Sequence, residues 1–323
     1  MKIYDSHGVA QSLSRLFGQG GEAEIYQLLD RPDVLFKRYH QSILNTRGGQ
    51  LRKKVECMCA MGLRENKNLS WPLLNVFDEK KNWIGYCMYR ADGETLFKLS
   101  HAVLYKKYFP NLDRKAIVTY LISLLMEIKK LHELEIMIGD YNLQNILIHP
   151  QSGKITLIDC DSYQISFRGQ YFPCEVGSAD LTPKEHQNTE FRNIVRTFES
   201  EYFSIAIILF KALMLGRHPY DVIGGTDPVK NLCNGQFPYG QDGKGIPKGQ
   251  WYNIWSHMPY KLKSLFIQTF KDGASDPSKR ASIDEWLREL KQYRKEMEKG
   301  WHAVEIIPSH PKEKSYRGSN TYN

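Results

Sequence analysis

Residues 138–165 read IGDYNLQNILIHPQSGKITLIDCDSYQI. Two short apolar runs, NILIH and KITLID, flank the turn Pro150-Gln151-Ser152-Gly153, which is the pattern of a β-hairpin. Asp140 and Asn145 lie before and at the start of its first strand, and Asp159 ends its second. Antiparallel pairing would bring Asn145 and Asp159 together. Two hard oxygen donors side by side suit Mg²⁺, which keeps several waters and bridges protein carboxylate to substrate phosphate. Asp140 would stand beside them as the group accepting a proton from an attacking hydroxyl. The conformational alternative is that Asp and Asn simply favour strand ends and turns.

Working outward, FGQGGEAEIYQL (residues 17–28) sets Gly18, Gly20 and Gly21 between two candidate strands, SRLF and EIYQL. Glycines let a backbone turn sharply and bring its N–H groups against phosphate oxygens. The turn Asp30-Arg31-Pro32-Asp33 then leads to VLFKRY, whose period of two puts Val34 and Phe36 on one face and Leu35 and Lys37 on the other. A glycine hairpin beside a solvated edge lysine accounts for these features equally well. GGQLRKKVECMCAMGL has Leu51, Val55 and Met58 at helical spacing. On that helix Glu56 has two partners in reach: Arg52, one turn back, or Lys37. NWIGYCMYRADG reads as a strand, and residues 112–132 as a long amphipathic helix with core positions Ile117, Leu121, Leu124, Ile128 and Leu131.

A chain of 323 residues predicts two domains or one domain of two lobes. Its 41% hydrophobic and 25% charged content excludes collagen-like, low-complexity and wholly disordered classes. The densest apolar run, Phe203 to Phe210, is far short of the roughly 20 residues a membrane helix needs. MKIYDSHGVAQSL lacks the apolar core of a signal peptide, so a cytoplasmic protein is expected. The six cysteines are scattered and read as reduced. Lys and Arg exceed Asp and Glu by 44 − 36 = 8, a balance that favours anionic partners.

From about residue 14 to 295 the chain resembles the eukaryotic-type protein kinase family. The motifs run in order: G-Q-G-G-E-A, Lys37, Glu56, Asp140 with Asn145 five residues on, Asp159-Cys160-Asp161, and Pro183-Lys184-Glu185. EYFSIAIILFKALMLGRHPY (201–220) resembles the buried central helix of that family, and SDPSKRASIDEWLREL (275–290) its closing segment, with Arg280 expected to pair with Glu185. The resemblance implies an α+β, two-lobed kinase-like fold: a β-rich nucleotide-binding lobe over 1–89, a helical lobe over 90–296 and a flexible tail over 297–323. It implies ATP in the cleft with Mg²⁺, Mn²⁺ being a competitor. Gly18, Gly20 and Gly21 would cover the phosphates, and Lys37, oriented by Glu56, would contact them. Asn145 and Asp159 would hold the metal, and Asp140 would act on a Ser or Thr hydroxyl of a protein substrate. Met88 is either a back-pocket residue or ordinary core, with Tyr89 to Ala91 as the adenine hinge. Ser178 aligns with the residue that marks Ser/Thr kinases, and autophosphorylation is expected. Finer spacing looks closest to bacterial helix-hairpin-helix kinases, a group associated with von Willebrand A-domain proteins and PP2C-type phosphatases.

The chain departs from that pattern at several positions. Ile138 and Gly139 replace the His and Arg before Asp140, and Asn142 stands where a Lys is usual. Ala23 replaces a loop Gly, Glu201 replaces a bracing Asp, and Asp161 replaces the Gly after Asp159, adding a carboxylate near the expected metal site. A nucleotide-binding pseudokinase acting as a scaffold is therefore the alternative to an active enzyme. A small-molecule kinase is disfavoured by the peptide-binding segment and the Glu185 and Arg280 pair. Nucleic-acid binding is not expected, because Lys291, Arg294, Lys295 and Lys299 alternate with Glu289, Glu296 and Glu298.

Overall fold

Six antiparallel strands at the N-terminal end close into a barrel in the order β1-β2-β3-β4-β6-β5. They are β1 (Lys2–Asp5), β2 (Ala10–Gln19), β3 (Ala23–Leu28), β4 (Val34–Tyr39), β5 (Pro72–Phe77) and β6 (Trp83–Tyr89). The structure is a computed structural model that describes residues 2–240, 245–247 and 249–312. Strand β4 is buried on both faces. Val34 and Phe36 join Ile3, Leu28, Val76, Ile84 and Cys87 in one core, while Leu35 and Tyr39 join Trp83, Tyr86 and Met88 in another. Helix α1 (Gln41–Ala60) covers this second face and contributes Val55 to it. The barrel differs from the simple antiparallel lobe expected: β1, too short to show a period, pairs with both β2 and β5 and removes the open edge.

The chain forms an α+β protein, with a β-rich N-terminal part and a helical C-terminal part. Two compact units emerge, one from Met1–Lys98, Met126–Thr182 and Asn188–Glu201, the other from Leu99–Leu125, Pro183–Gln187 and Tyr202–Asn323. Within the first unit, backbone bonds tie the hairpin to the barrel's connection. Ser70 N donates to Leu157 O, and Leu157 N to Asn68 O, both at 2.8 Å. In the first unit β7 (Glu94–Thr95), β8 (Ile146–Ile148) and β9 (Ile155–Leu157) form a small sheet, and β10 (Ile165–Phe167) pairs with β11 (Gln170–Phe172).

Short helices α2 (Leu96–Ser100) and α3 (Leu104–Tyr108) precede α4 (Arg114–Glu133), which passes from the second unit to the first at Met126, and α5 (Phe198–Leu213), apolar on nearly every side, belongs to the second unit from Tyr202 on. Phe210 meets the rings of Tyr239, Trp255, Phe266 and Phe270. Arg280 pairs with Glu185 in a two-bond fork of 2.6 and 2.8 Å, as expected, and its Nε donates to Gly273 O. Residues 304–312 fall within the expected tail. Their carbonyls take donors from Arg114 and Asn253, and Ile306 is buried, which compensates their polar composition. Residues 313–323 of that expected tail lie outside the described residues. No helix among the described residues is long and apolar enough to cross a membrane.

One buried carboxylate fixes the segment before β8. Glu201, 1% exposed on α5, accepts from Ile138 N and Gly139 N at 2.9 Å each and from Tyr141 OH at 2.6 Å. Glu therefore does here what the sequence pattern assigns to Asp. Gly139 is required at its place: φ is +72°, and a Cβ would lie 2.6 Å from Cys174 Sγ. Glu201→Gln sets an amide donor against those donors and is expected to cost about 1–3 kcal/mol, read as a lower urea midpoint. Tyr141→Phe should cost less.

Candidate active site

Lys37 sits on β4 directly across from Tyr86 on β6, and two residues before Tyr39, so the three side chains share one face. That face is the one α1 covers, which withdraws the Lys37 ammonium from water: the residue is 7% exposed. Its Nζ donates to Asp159 Oδ1 at 2.6 Å and to Asp161 Oδ1 and Oδ2 at 2.7 and 2.8 Å. Burial alone would push the ammonium pKa down. The charges of Asp161 and then Asp159 outweigh it and hold the pKa above the ordinary lysine value. Asp159 itself adopts the left-handed conformation, φ +61°, and starts the tight turn that brings Asp161 inward.

A cavity of about 700 Å³ opens over this pair, lined entirely by residues of the first unit. Gly18, Gly20 and Gly21 line it, with Gly20 N bonded to Ala23 O at 2.9 Å to close the turn between β2 and β3. Lys37, Met88, Ala91, Asp140, Asn145 and Asp159 line it as well. Thus the glycines, the lysine and the three polar residues around the hairpin, far apart in sequence, meet at one cavity. Asn145 is held by backbone bonds, its N–H to Asn142 O and its carbonyl accepting from Ile158 N, both at 2.9 Å. Asp140 is half-buried and accepts from Ser178 Oγ at 3.4 Å. Burial, and next the charge of Asp159, raise the Asp140 pKa, with the Ser178 bond opposing them.

Two expected residues lie elsewhere. Tyr89 does not line the cavity; it packs against the barrel core under the Lys67 ammonium, while its carbonyl accepts from Ser70 Oγ. Glu56 does not reach Lys37. It accepts from Arg52 Nε at 2.8 Å with its side chain 45% exposed. Helical phase explains this placement: Arg47, Gln50, Leu51 and Lys54 carry the cavity face of α1, and Glu56 stands about 200° round the helix from Lys54.

Arg47 and Lys54, which sequence reasoning passed over, belong to the site, and so does Asp161, the carboxylate expected near the metal. Asp161, 6% exposed, is the close partner of Lys37; its two oxygens accept four hydrogen bonds from three groups, the Lys37 ammonium and the Tyr39 and Tyr86 hydroxyls. Lys54 is buried, which lowers its pKa, and donates to Pro173 O at 3.3 Å. Arg47 bonds Glu22 at 2.5 Å and Glu175 at 2.6 Å. The seven-residue spacing of Arg47 and Lys54 is the signal that marks them as one helix face.

The described residues contain no cluster of three or more acidic, His or Cys side chains able to hold a metal alone. A cation bridged to phosphate asks less of the protein. Asn145 and Asp159 flank one cavity wall, and the Asp159 side chain, 42% exposed, has a second oxygen besides the one facing Lys37. This pair suits Mg²⁺, which keeps waters and phosphate oxygens in its shell.

No family model matches the chain. It is 25% identical over 323 residues to the protein kinase YegI of Escherichia coli (strain K12), covering 96% of this chain and 49% of that protein. It is 24% identical over 321 residues to the protein kinase YegI of Escherichia coli O157:H7, covering 95% and 49%. The chain thus spans about half the length of the curated relatives it matches, and these distant relatives, matching over most of the chain, carry the name protein kinase.

Proposed function

We propose that this chain is an ATP-dependent protein kinase that transfers the γ-phosphate to Ser or Thr hydroxyls of protein substrates, with autophosphorylation. The observation that carries the reading is the convergence of Lys37, Asp140, Asn145 and Asp159 with Gly18, Gly20 and Gly21 on one cavity. Distant similarity to proteins named protein kinase supports it. The α+β architecture, with its β-rich end carrying the glycine turn, is compatible with a kinase-like fold despite the closed barrel.

In this reading the backbone N–H groups around Gly18, Gly20 and Gly21 cover the phosphates. Lys37, whose three N–H groups here meet Asp159 Oδ1 and the two oxygens of Asp161, would share or turn part of that donor set to the α and β phosphate oxygens. Asn145 and Asp159 would hold Mg²⁺ or Mn²⁺, which when bound neutralises phosphate charge. Asp140 orients the substrate hydroxyl and takes its proton as the oxygen attacks the γ-phosphorus. The bond to the bridging oxygen breaks, and ADP leaves with that electron pair. Such transfer relies chiefly on positioning and charge stabilisation. The hydroxyl of Ser178 beside Asp140 supports Ser/Thr over Tyr acceptors.

The pseudokinase reading is favoured by one observation. Asn142, at the position where the resemblance expects a Lys, spends its side chain accepting from Gln144 N at 2.9 Å. Incubating the purified chain with ATP and Mg²⁺ or Mn²⁺ is expected to add phosphate to Ser or Thr, detected by mass spectrometry. Asp140→Asn should lower the rate by about 10²- to 10⁴-fold. ATP-dependent thermal stabilisation with no phosphate gained under either metal would replace the enzyme by the scaffold.

Because the base must be ionised and its pKa is raised, transfer should be lost as pH falls through a value above the ordinary Asp range of about 4. Ser178→Ala removes the bond that opposes the rise, so the acid limb of kcat/KM should move further up. A limb at or below the ordinary range would contradict the assignment of Asp140.

A further inference from the structure

The Lys37 ammonium must be held still to meet a phosphate, and its surroundings show what holds it. Asp161 Oδ1 accepts from Lys37 at 2.7 Å and from Tyr86 OH at 2.7 Å, and Oδ2 accepts from Lys37 at 2.8 Å and from Tyr39 OH at 2.5 Å. Both tyrosines belong to the barrel wall, 2% and 0% exposed: Tyr39 stands two residues along β4 from Lys37, and Tyr86 lies directly across from Lys37 on β6. A carboxylate with all four lone-pair directions taken cannot rotate. The acid that the kinase resemblance assigns to this task on α1, Glu56, faces solvent and Arg52. Asp159 also touches Lys37, but its exposed side chain is the one suited to a metal.

We propose that Asp161 is the positioning residue for Lys37, with Tyr39 and Tyr86 as its supports, so that the grip on the nucleotide phosphates is built into strands β4 and β6 and the turn 159–161 and does not pass through an acid of helix α1. This rests on the kinase reading above. It gives Asp161 a role distinct from metal binding and leaves α1 free to move without releasing Lys37.

The test compares Asp161→Asn, Lys37→Met and Glu56→Gln in the full chain. Asp161→Asn is expected to lower kcat/KM for ATP by about 10- to 100-fold, the loss of charge-assisted hydrogen bonds. Lys37→Met should fall at least as far, and adding Asp161→Asn to it should cause no further loss. The same double variant should melt higher than Lys37→Met alone, since the second change removes a buried carboxylate left without its cation. Glu56→Gln should stay within about twofold of the parent, as for an exposed ion pair. Half-saturating Mg²⁺ should be unchanged in Asp161→Asn and raised in Asp159→Asn. Should Asp161→Asn fail to fold, Tyr86→Phe removes one support and is expected to lower kcat/KM a few-fold.

Three results would overturn the proposal: a Glu56→Gln loss as large as that of Asp161→Asn, a further loss when Asp161→Asn is added to Lys37→Met, or Asp161→Asn and Tyr86→Phe both behaving as the parent. If the parent transfers no phosphate, the kinase reading fails separately. ATP affinity measured by calorimetry in EDTA then decides the positioning role, with Asp161→Asn weakened and Glu56→Gln unchanged as the expected result.

Discussion

An ammonium withdrawn from water must find carboxylates within hydrogen-bond reach, and most of this site follows from that demand at Lys37. Strand β4 carries the lysine on the face that packs under α1, so its charge is answered from inside the protein. The answer comes from the turn after β9, where Asp159 and Asp161 project toward it. That pairing draws the hairpin and the segment before it against the barrel. Once there, Asp140, Asn145 and the glycine turn face a single cavity.

A second buried charge acts on the other side of the same segment. Glu201 collects two backbone N–H groups and a tyrosine hydroxyl, so the residues leading to Asp140 are fixed by a single buried carboxylate of the same unit. The lysine and the glutamate together set the two ends of the segment 138–161. Each is buried with its partners complete, which is the condition under which a buried charge specifies one arrangement.

Much of this was legible in the sequence, because period and turn chemistry carry it. VLFKRY alternates, so the face of Lys37 could be read; the hairpin 146–157 announced itself by its turn; α5 showed its burial by being apolar all round. What stayed hidden depended on phase and on single dihedrals. Glu56 lies within reach of Lys37 by count, yet the helix turns it away, since sequence separation fixes distance but not azimuth. Asp161 could be read only as a carboxylate near the metal, because nothing in I-D-C-D-S-Y reveals that Asp159 takes a left-handed conformation and starts the turn that brings Asp161 to Lys37. Strand β1 is too short for its alternation to be seen, and only its pairing with β5 gives it a place.

That last pairing has a consequence for how this part of the molecule can be approached. A sheet with an open margin offers unsatisfied N–H and C=O groups to any passing extended peptide. The seam of β1 to β5, Tyr4 opposite Phe77 and Asp5 opposite Val76, narrows that margin at the N-terminal end of the barrel. Where β1 and β5 are zipped together, an added strand finds no free edge, and a partner reaching that part of the barrel must be recognised through side chains.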